Sequence, residues 1–104
     1  MNSPGIPLGM PTLLTPEQRQ QLQQERPAWE VGDTAMRRSV VFSDFVEAFG
    51  FMSRVALLAE SRQHHPDWSN VYNRVKIELS THDLGGLSTM DAELSAAIDA
   101  LLPA

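Results

Sequence analysis

The chain has 104 residues, of which 42% are hydrophobic and 20% charged, so it supports one folded domain and is too short for two ordinary ones. Eight Lys and Arg against thirteen Asp and Glu give a net charge of −5, the wrong sign for direct binding to nucleic acid. The absence of cysteine excludes disulfides, thiolate metal sites and cysteine nucleophiles. With neither a membrane-spanning apolar run nor a basic secretory signal, the sequence predicts a cytoplasmic protein.

The N-terminal segment differs in composition from the rest of the chain. Residues 1–14 are rich in Pro and Gly and show no hydrophobic period, which is typical of irregular structure. We therefore expect a flexible leader over residues 1–14 and a single domain over residues 15–104.

The first predicted elements are a helix and a hairpin. Thr15 has the pattern of an N-cap, with Pro16 at the first helical position, and the helix should end near Glu25, before Pro27. Two apolar stretches flank Gly32-Asp33, which supplies the geometry of a tight turn. The predicted strands are Trp29–Val31 and Met36–Phe42.

A long central helix is predicted from Ser43-Asp44 to about Gln63, with apolar residues on about half of its circumference. These residues form two adjacent rows: Phe45, Phe49, Met52, Ala56 and Ala59, and then Ala48, Phe51, Val55 and Leu58. Either the helix is set deeply in its own core, or the surplus apolar surface meets another subunit. We favour a homo-oligomer, a dimer or tetramer, with Phe51, Val55 and Leu58 as the contact row.

The second half of the chain begins where Pro66 ends the central helix and forces the preceding residue into an extended conformation. Trp68–Tyr72 is a short candidate strand. From Val75 to Ser80 apolar and polar residues alternate, the pattern of a strand buried on one face.

A last helix follows the Gly85-Gly86 turn. Ser88-x-x-Asp91 has the form of a capping box, and apolar residues recur after it at helical spacing. They are Leu94, Ala97, Ile98 and Leu101. The order α-β-β-α-β-β-α favours an α+β fold, with a four-stranded antiparallel sheet and helices packed on one face.

The three histidines lie at two element ends, His64-His65 after the central helix and His82 after the last strand. Imidazoles titrate near neutral pH, so converging histidines would supply proton donors and acceptors. Surface capping of the helix end is the simplest alternative. A metal site with Glu60 or Asp91 is another, but no histidine pair has the one-face helical spacing of common zinc motifs.

Several other side chains have two interpretations. Asp91 fits the reciprocal acid of the cap that Ser88 begins, and Glu60 fits a solvated helix position. Trp68 and Tyr72 are typical of core or rim aromatics, but a flat heteroaromatic ligand would also stack on such a ring. No nucleophile-elbow or phosphate-loop sequence is present.

Together these residues resemble a known signature. Glu60-x-x-x-His64-His65-Pro66, followed at fixed spacings by Tyr72, His82 and Asp91, is similar to the motif of the pterin-4a-carbinolamine dehydratases. The segments from Phe49 to Leu57 and from Asn70 to Val75 resemble the central helix and third strand of that family. The resemblance extends from about Thr15 to Leu102.

The resemblance implies a four-stranded antiparallel sheet with helices on one side, and the loss of water from a 4a-hydroxytetrahydropterin such as 4a-hydroxytetrahydrobiopterin. The usual setting of this reaction is pterin recycling after an aromatic amino acid hydroxylase. It needs neither cofactor nor metal. Carried over by motif, His64 and His82 are the acid–base residues, and His65 completes the catalytic set by holding the pterin ring.

The resemblance also implies the surroundings of the histidines. The implied substrate-binding residues are Gln63, His64, His65, Ser80, Thr81, His82 and Asp83. The implied supporting residues are Glu60, Trp68 and Asp91, with Asp91 orienting an imidazole. Gln63 departs from the acidic residue expected in animal relatives.

The alternative function is a binding role. Animal members of the family also act as dimerisation cofactors that bind a homeodomain transcription factor through the central helix. The first helix here is rich in Gln and the chain has no basic targeting run, which gives that role no support. The expected partners are therefore a small pterin and other copies of the chain, without nucleic acid or membrane.

Overall fold

The protein was analysed as a computed structural model that describes residues 10–103. Its elements are α1 (Pro16–Glu25), β1 (Glu30–Val31), β2 (Met36–Val41), α2 (Phe45–Arg62), β3 (Asp67–Val71), β4 (Arg74–Leu79), a 3-10 turn (His82–Leu84) and α3 (Thr89–Asp99). The predicted order of helices and strands is confirmed. None of the helices within the described residues is long and apolar enough to cross a membrane.

Residues 12–14, at the end of the predicted leader, form hydrogen bonds with the segment that begins α3. Residues 1–9 of the predicted leader lie outside the described residues. Thr12 accepts a hydrogen bond from the backbone of Thr89 at 3.0 Å, and Leu14 donates one to Leu87 at 2.9 Å. These contacts tie the end of the expected leader to the start of α3, before the domain start that we placed at Thr15.

The four strands form one antiparallel sheet in the order β1-β2-β4-β3. Val75, Ile77 and Leu79 on β4 are buried, which confirms the predicted alternation. The neighbouring residues Lys76 and Glu78 lie on the other face. The first strand of the hairpin is shorter than predicted, because the backbone N–H of Trp29 donates to Arg26 at 3.0 Å instead of joining the sheet.

The central helix turns a different side to the core from the one we expected. Ala48, Phe51 and Val55 have no exposed surface, and Phe51 stacks near Phe42 with ring centroids 5.0 Å apart. The prediction that Phe51, Val55 and Leu58 meet a second subunit is therefore wrong, since this row packs within one chain. The two rows are equally apolar in sequence, and only the position of the sheet decides between them.

The opposite side of α2 carries exposed apolar residues. We call Phe45, Val46, Phe49 and Leu57, which are 44%, 78%, 55% and 72% exposed, the outer α2 row. The rings of Phe45 and Phe49 lie 5.6 Å apart. The surplus of apolar surface on this helix is thus real, although it lies on Phe45 and Phe49 of the first row and on Val46 and Leu57, which belong to neither row.

Candidate active site

The end of α2 places two adjacent histidines in opposite environments. Gln63 caps the helix in the left-handed conformation, at φ 53° and ψ 40°, and the backbone N–H of His64 donates to Ala59 at 3.0 Å. After this turn His64 is buried and 9% exposed, whereas His65 is exposed. Pro66 then leads directly into β3.

His64 forms a buried pair with the carboxylate at the start of α3. Its Nε2 lies 2.6 Å from Oδ1 of Asp91, which has no exposed surface. The other oxygen of Asp91, Oδ2, accepts from the Thr81 hydroxyl at 2.8 Å and from the Ser88 backbone N–H at 2.9 Å. Asp91 is therefore both the reciprocal acid of the α3 capping box and the partner of His64.

The direction of these hydrogen bonds assigns the tautomer of the neutral His64 ring. A carboxylate only accepts hydrogen bonds, so Nε2 of His64 carries the proton that Asp91 Oδ1 receives. The lone pair of the neutral ring is then on Nδ1, for which no protein partner is found among residues 10–103. This nitrogen can exchange a proton with a ligand.

His65 has a different acidic partner. Its Nε2 lies 2.8 Å from Oε1 of Glu60, one turn back on α2, and the two side chains are 59% and 70% exposed. An exposed pair of this kind contributes little to stability. Its effect is to orient the ring of His65 at the surface.

His82 lines a cavity of about 260 Å³ at the end of β4. It begins the 3-10 turn, which closes through left-handed Gly85 at φ 78°. Ser80, Thr81, Arg37 and Glu78 are also on the cavity wall. Thr81 precedes His82 in the chain and bonds to the partner of His64, so it connects the two histidine-bearing regions.

The other predicted site residues lie in several places around the His64–Asp91 pair and the cavity of His82. Ser80 is half-buried, while Asp83 and Gln63 are exposed. The Gln63 amide donates to the backbone of Glu60 at 3.0 Å. Trp68 packs against the hydrophobic core and lines a second cavity of about 330 Å³, so the structure does not place it in the cavity of His82.

Sequence reasoning missed the charged wall of the His82 cavity. Arg37 on β2 and Glu78 on β4 are register partners, and their side chains form an ion pair at 2.7 Å. Strand alternation places both on the open face of the sheet. It cannot show that β2 lies beside β4, and that adjacency brings these residues to the site.

The described part of the chain, residues 10–103, contains no group of three or more His, Cys, Asp or Glu side chains arranged to hold a metal ion. Asp91 and Glu60 each contact a different histidine. The arrangement consists of separate acid–imidazole pairs, which suits proton transfer.

Comparison with known proteins identifies this architecture. The sequence profile of the pterin 4 alpha carbinolamine dehydratases matches residues 12–101. The chain belongs to this family. The match covers all three helices and all four strands.

Individual relatives agree with the profile. A protein of Synechococcus sp. (strain WH7803), provisionally named a pterin-4-alpha-carbinolamine dehydratase, is 58% identical over 92 residues, which are 88% of this chain and 99% of the relative. A relative from Rhodospirillum rubrum with the same provisional name is 58% identical over 80 residues, 75% of this chain and 83% of that protein.

A solved structure supports the fold. The crystal structure of a Brucella melitensis protein, described as a transcriptional coactivator/pterin dehydratase, superimposes with a TM-score of 0.84 at 36% identity. The match covers 88% of this chain and 100% of that one. The predicted family and the predicted α+β fold are confirmed, and the roles of individual residues stay predictions.

Proposed function

We propose that this protein is a hydro-lyase that removes water from a 4a-hydroxytetrahydropterin, such as 4a-hydroxytetrahydrobiopterin, to give quinonoid dihydropterin. The observation that carries the proposal is the buried His64–Asp91 pair at 2.6 Å, which is linked through Thr81 to the cavity of His82. Family membership supplies the substrate class.

The chemistry requires one proton donor and one proton acceptor. Hydroxide is a poor leaving group, so an acid must protonate the oxygen on carbon 4a while the carbon–oxygen bond breaks. Electrons of the neighbouring ring nitrogen form the new carbon–nitrogen double bond, and a base takes the proton from that nitrogen. One proton is given and one is taken, so the net loss is a single water molecule.

The histidines of this chain fit these two tasks. Asp91 holds the Nε2 proton of His64 and stabilises the imidazolium that forms when Nδ1 takes up a second proton, the part that a buried acid has in catalytic triads. His82 supplies the second group from the wall of its cavity. His65, oriented by Glu60 at the surface, holds the pterin ring.

The proposal places the protein after an enzyme that forms 4a-hydroxytetrahydropterins, an aromatic amino acid hydroxylase. Its product is a quinonoid dihydropterin, which a reductase must consume to complete recycling. The test is turnover of freshly generated 4a-hydroxytetrahydropterin by the purified chain, followed by the change in pterin absorbance. A rate above that of spontaneous dehydration supports the proposal, and a rate equal to buffer alone contradicts it.

A second candidate function depends on the outer α2 row. Four exposed apolar side chains on one helix are more than a polar surface element normally presents, and a partner helix would cover them. We propose that other copies of the chain cover this row in a dimer or tetramer. Binding of a homeodomain transcription factor at the same row is the alternative, for which the Brucella protein's description as a coactivator is support.

The two uses of the outer α2 row are separated by a pull-down. A homeodomain transcription factor carrying its dimerisation segment is the bait, and Phe49→Asp is the control variant. Capture of the wild-type chain and not of the variant supports the coactivator role. Self-association without capture supports the enzyme assembly alone.

A further inference from the structure

We infer that Thr81 is a positioning residue for His64, acting through Asp91, and not a pterin ligand as the motif implied. The inference rests on the proposed dehydratase function and adds to it the part of the site that sets the orientation of the acid–base imidazole. Its basis is that the backbone and the hydroxyl of Thr81 are all hydrogen-bonded to other described residues.

Every polar group of Thr81 is engaged inside the protein. Its backbone N–H donates to Gly86 at 2.9 Å, and its carbonyl accepts from Leu84 at 3.1 Å and from Gly86 at 3.3 Å. Its hydroxyl lies 2.6 Å from Ser88 Oγ and 2.8 Å from Asp91 Oδ2. The residue is 6% exposed, so a substrate would have to displace one of these bonds to reach it.

The proton order along this network is fixed by its acceptors. Asp91 only accepts, so the single hydroxyl proton of Thr81 is donated to Oδ2. The Ser88 hydroxyl must then be the donor in its bond to Thr81, while its oxygen accepts the backbone N–H of Met90 at 3.1 Å. The chain of donors runs from Ser88 through Thr81 to the carboxylate.

This order has a consequence for His64. Thr81 and the Ser88 backbone both hold Oδ2, which leaves Oδ1 as the oxygen for the imidazole. Removing the Thr81 hydroxyl leaves one fixed bond on Oδ2, so the carboxylate can rotate and its hold on the Nε2 proton weakens. Small displacements of a reacting group cost up to about 100-fold in rate.

The position of Thr81 adds a second effect. The residue immediately precedes His82, and its carbonyl closes the turn in which that histidine lies. One residue therefore holds the partner of His64 with its side chain and the turn of His82 with its backbone. Side-chain substitutions at Thr81 test the first effect alone, because they leave the backbone bonds available.

The experiment compares Thr81→Val with Thr81→Ser. Valine keeps the branched shape and removes the hydroxyl, whereas serine keeps the hydroxyl. We expect kcat of Thr81→Val to fall about 10- to 100-fold with KM little changed, and Thr81→Ser to recover most of the rate. Ser95→Ala is the matched control, since it removes a buried hydroxyl from α3 outside the network and should keep kcat within about 2-fold.

A second measurement does not depend on turnover. Nitrogen-15 spectra of the imidazole side chains report which ring nitrogen carries the proton. We expect His64 to be a fixed Nε2–H tautomer in the wild type and in Thr81→Ser, and to lose that preference in Thr81→Val. If Thr81→Val does not fold, Thr81→Ala removes the same donor to Asp91 without placing a second methyl group beside Ser88, and its His64 spectrum should shift in the same direction.

The outcomes are distinguishable. A higher KM with unchanged kcat in Thr81→Val would make Thr81 a substrate ligand and overturn the inference. Wild-type kcat and an unchanged His64 tautomer in Thr81→Val or Thr81→Ala would overturn it as well. If the wild type fails to turn over 4a-hydroxypterins, the proposed function fails, and the His64 spectra still decide whether Thr81 positions the ring.

Discussion

At the scale of single residues, two neighbours in the chain have unlike surroundings. His64 is buried against Asp91, while His65 is exposed and pairs with Glu60. A buried imidazole with a fixed carboxylate partner has a defined tautomer and orientation, which proton transfer requires. An exposed imidazole is better suited to contact a ring that enters from solvent.

This difference predicts separable kinetic effects. His64→Ala and His82→Ala should each lower kcat by roughly 10²–10⁴, the usual contribution of a positioned acid or base. His65→Ala should mainly raise KM, because we propose that His65 binds the pterin. Steady-state kinetics on the three variants, with circular dichroism to verify folding, make the comparison. Near-wild-type kcat in both folded His64→Ala and His82→Ala would remove the histidine mechanism.

At the scale of an element, the N-terminus of α3 combines a helix cap with a buried histidine partner. The Ser88 backbone N–H and the Thr81 hydroxyl both donate to Asp91, and Asp91 has no exposed surface. A capping residue at an ordinary helix end needs neither burial nor a histidine partner. Asp91 therefore caps α3 and, in the proposed mechanism, also orients His64.

The combination predicts a large loss of stability in Asp91→Ala. The substitution leaves the Thr81 hydroxyl, the Ser88 N–H and the His64 Nε2–H without their acceptor, so the free energy of unfolding should fall by about 3 kcal/mol. Urea denaturation measures the change. Glu93→Ala, at an exposed position of the same helix, should change it by less than about 0.5 kcal/mol. Equal effects at the two positions would contradict the network.

At the scale of the whole molecule, the outer α2 row is the surface through which we propose that copies of the chain associate. Its residues are not needed for the core, which is closed by the opposite side of the helix. Four exposed apolar side chains on one helix therefore favour self-association over solubility of a single chain.

The row predicts an association defect in Phe49→Asp. A charge at the centre of an apolar contact should shift the chain to a smaller species in analytical ultracentrifugation at micromolar concentration. Val41→Asp introduces the same charge at an exposed apolar position of the sheet, 65% exposed, and should leave association unchanged. A wild-type chain that sediments as a monomer throughout would refute assembly through α2.

The site as a whole predicts independence from metals. Its proposed step is proton transfer, and a metal would occupy the imidazole lone pairs that this step needs. We expect turnover to survive exhaustive chelation without any added cofactor. The decisive contrary result is stoichiometric zinc by elemental analysis, together with activity that is lost on chelation and restored by zinc.

Local patterns in the sequence predicted most of the elements. Capping at Thr15 and Ser88 and the alternation from Val75 to Leu79 were confirmed, because each depends on neighbours within a few residues. The spacing of His64, His82 and Asp91 indicated the family, which the comparisons confirmed. These patterns can be recognised in the sequence whatever the arrangement of the elements in space.

Only the tertiary structure decided the questions that depend on distant segments. Which of two equally apolar rows on α2 faces the sheet follows from where the sheet lies, and Phe51 proved to be core. Arg37 reaches the cavity of His82 because β2 pairs with β4. The motif implied that Thr81 lies at the pocket rim, whereas the structure shows that its hydroxyl donates to the carboxylate of Asp91, ten positions later. A sequence specifies periodicity and capping locally, whereas the partner of a buried polar group is set by the packing of the entire chain.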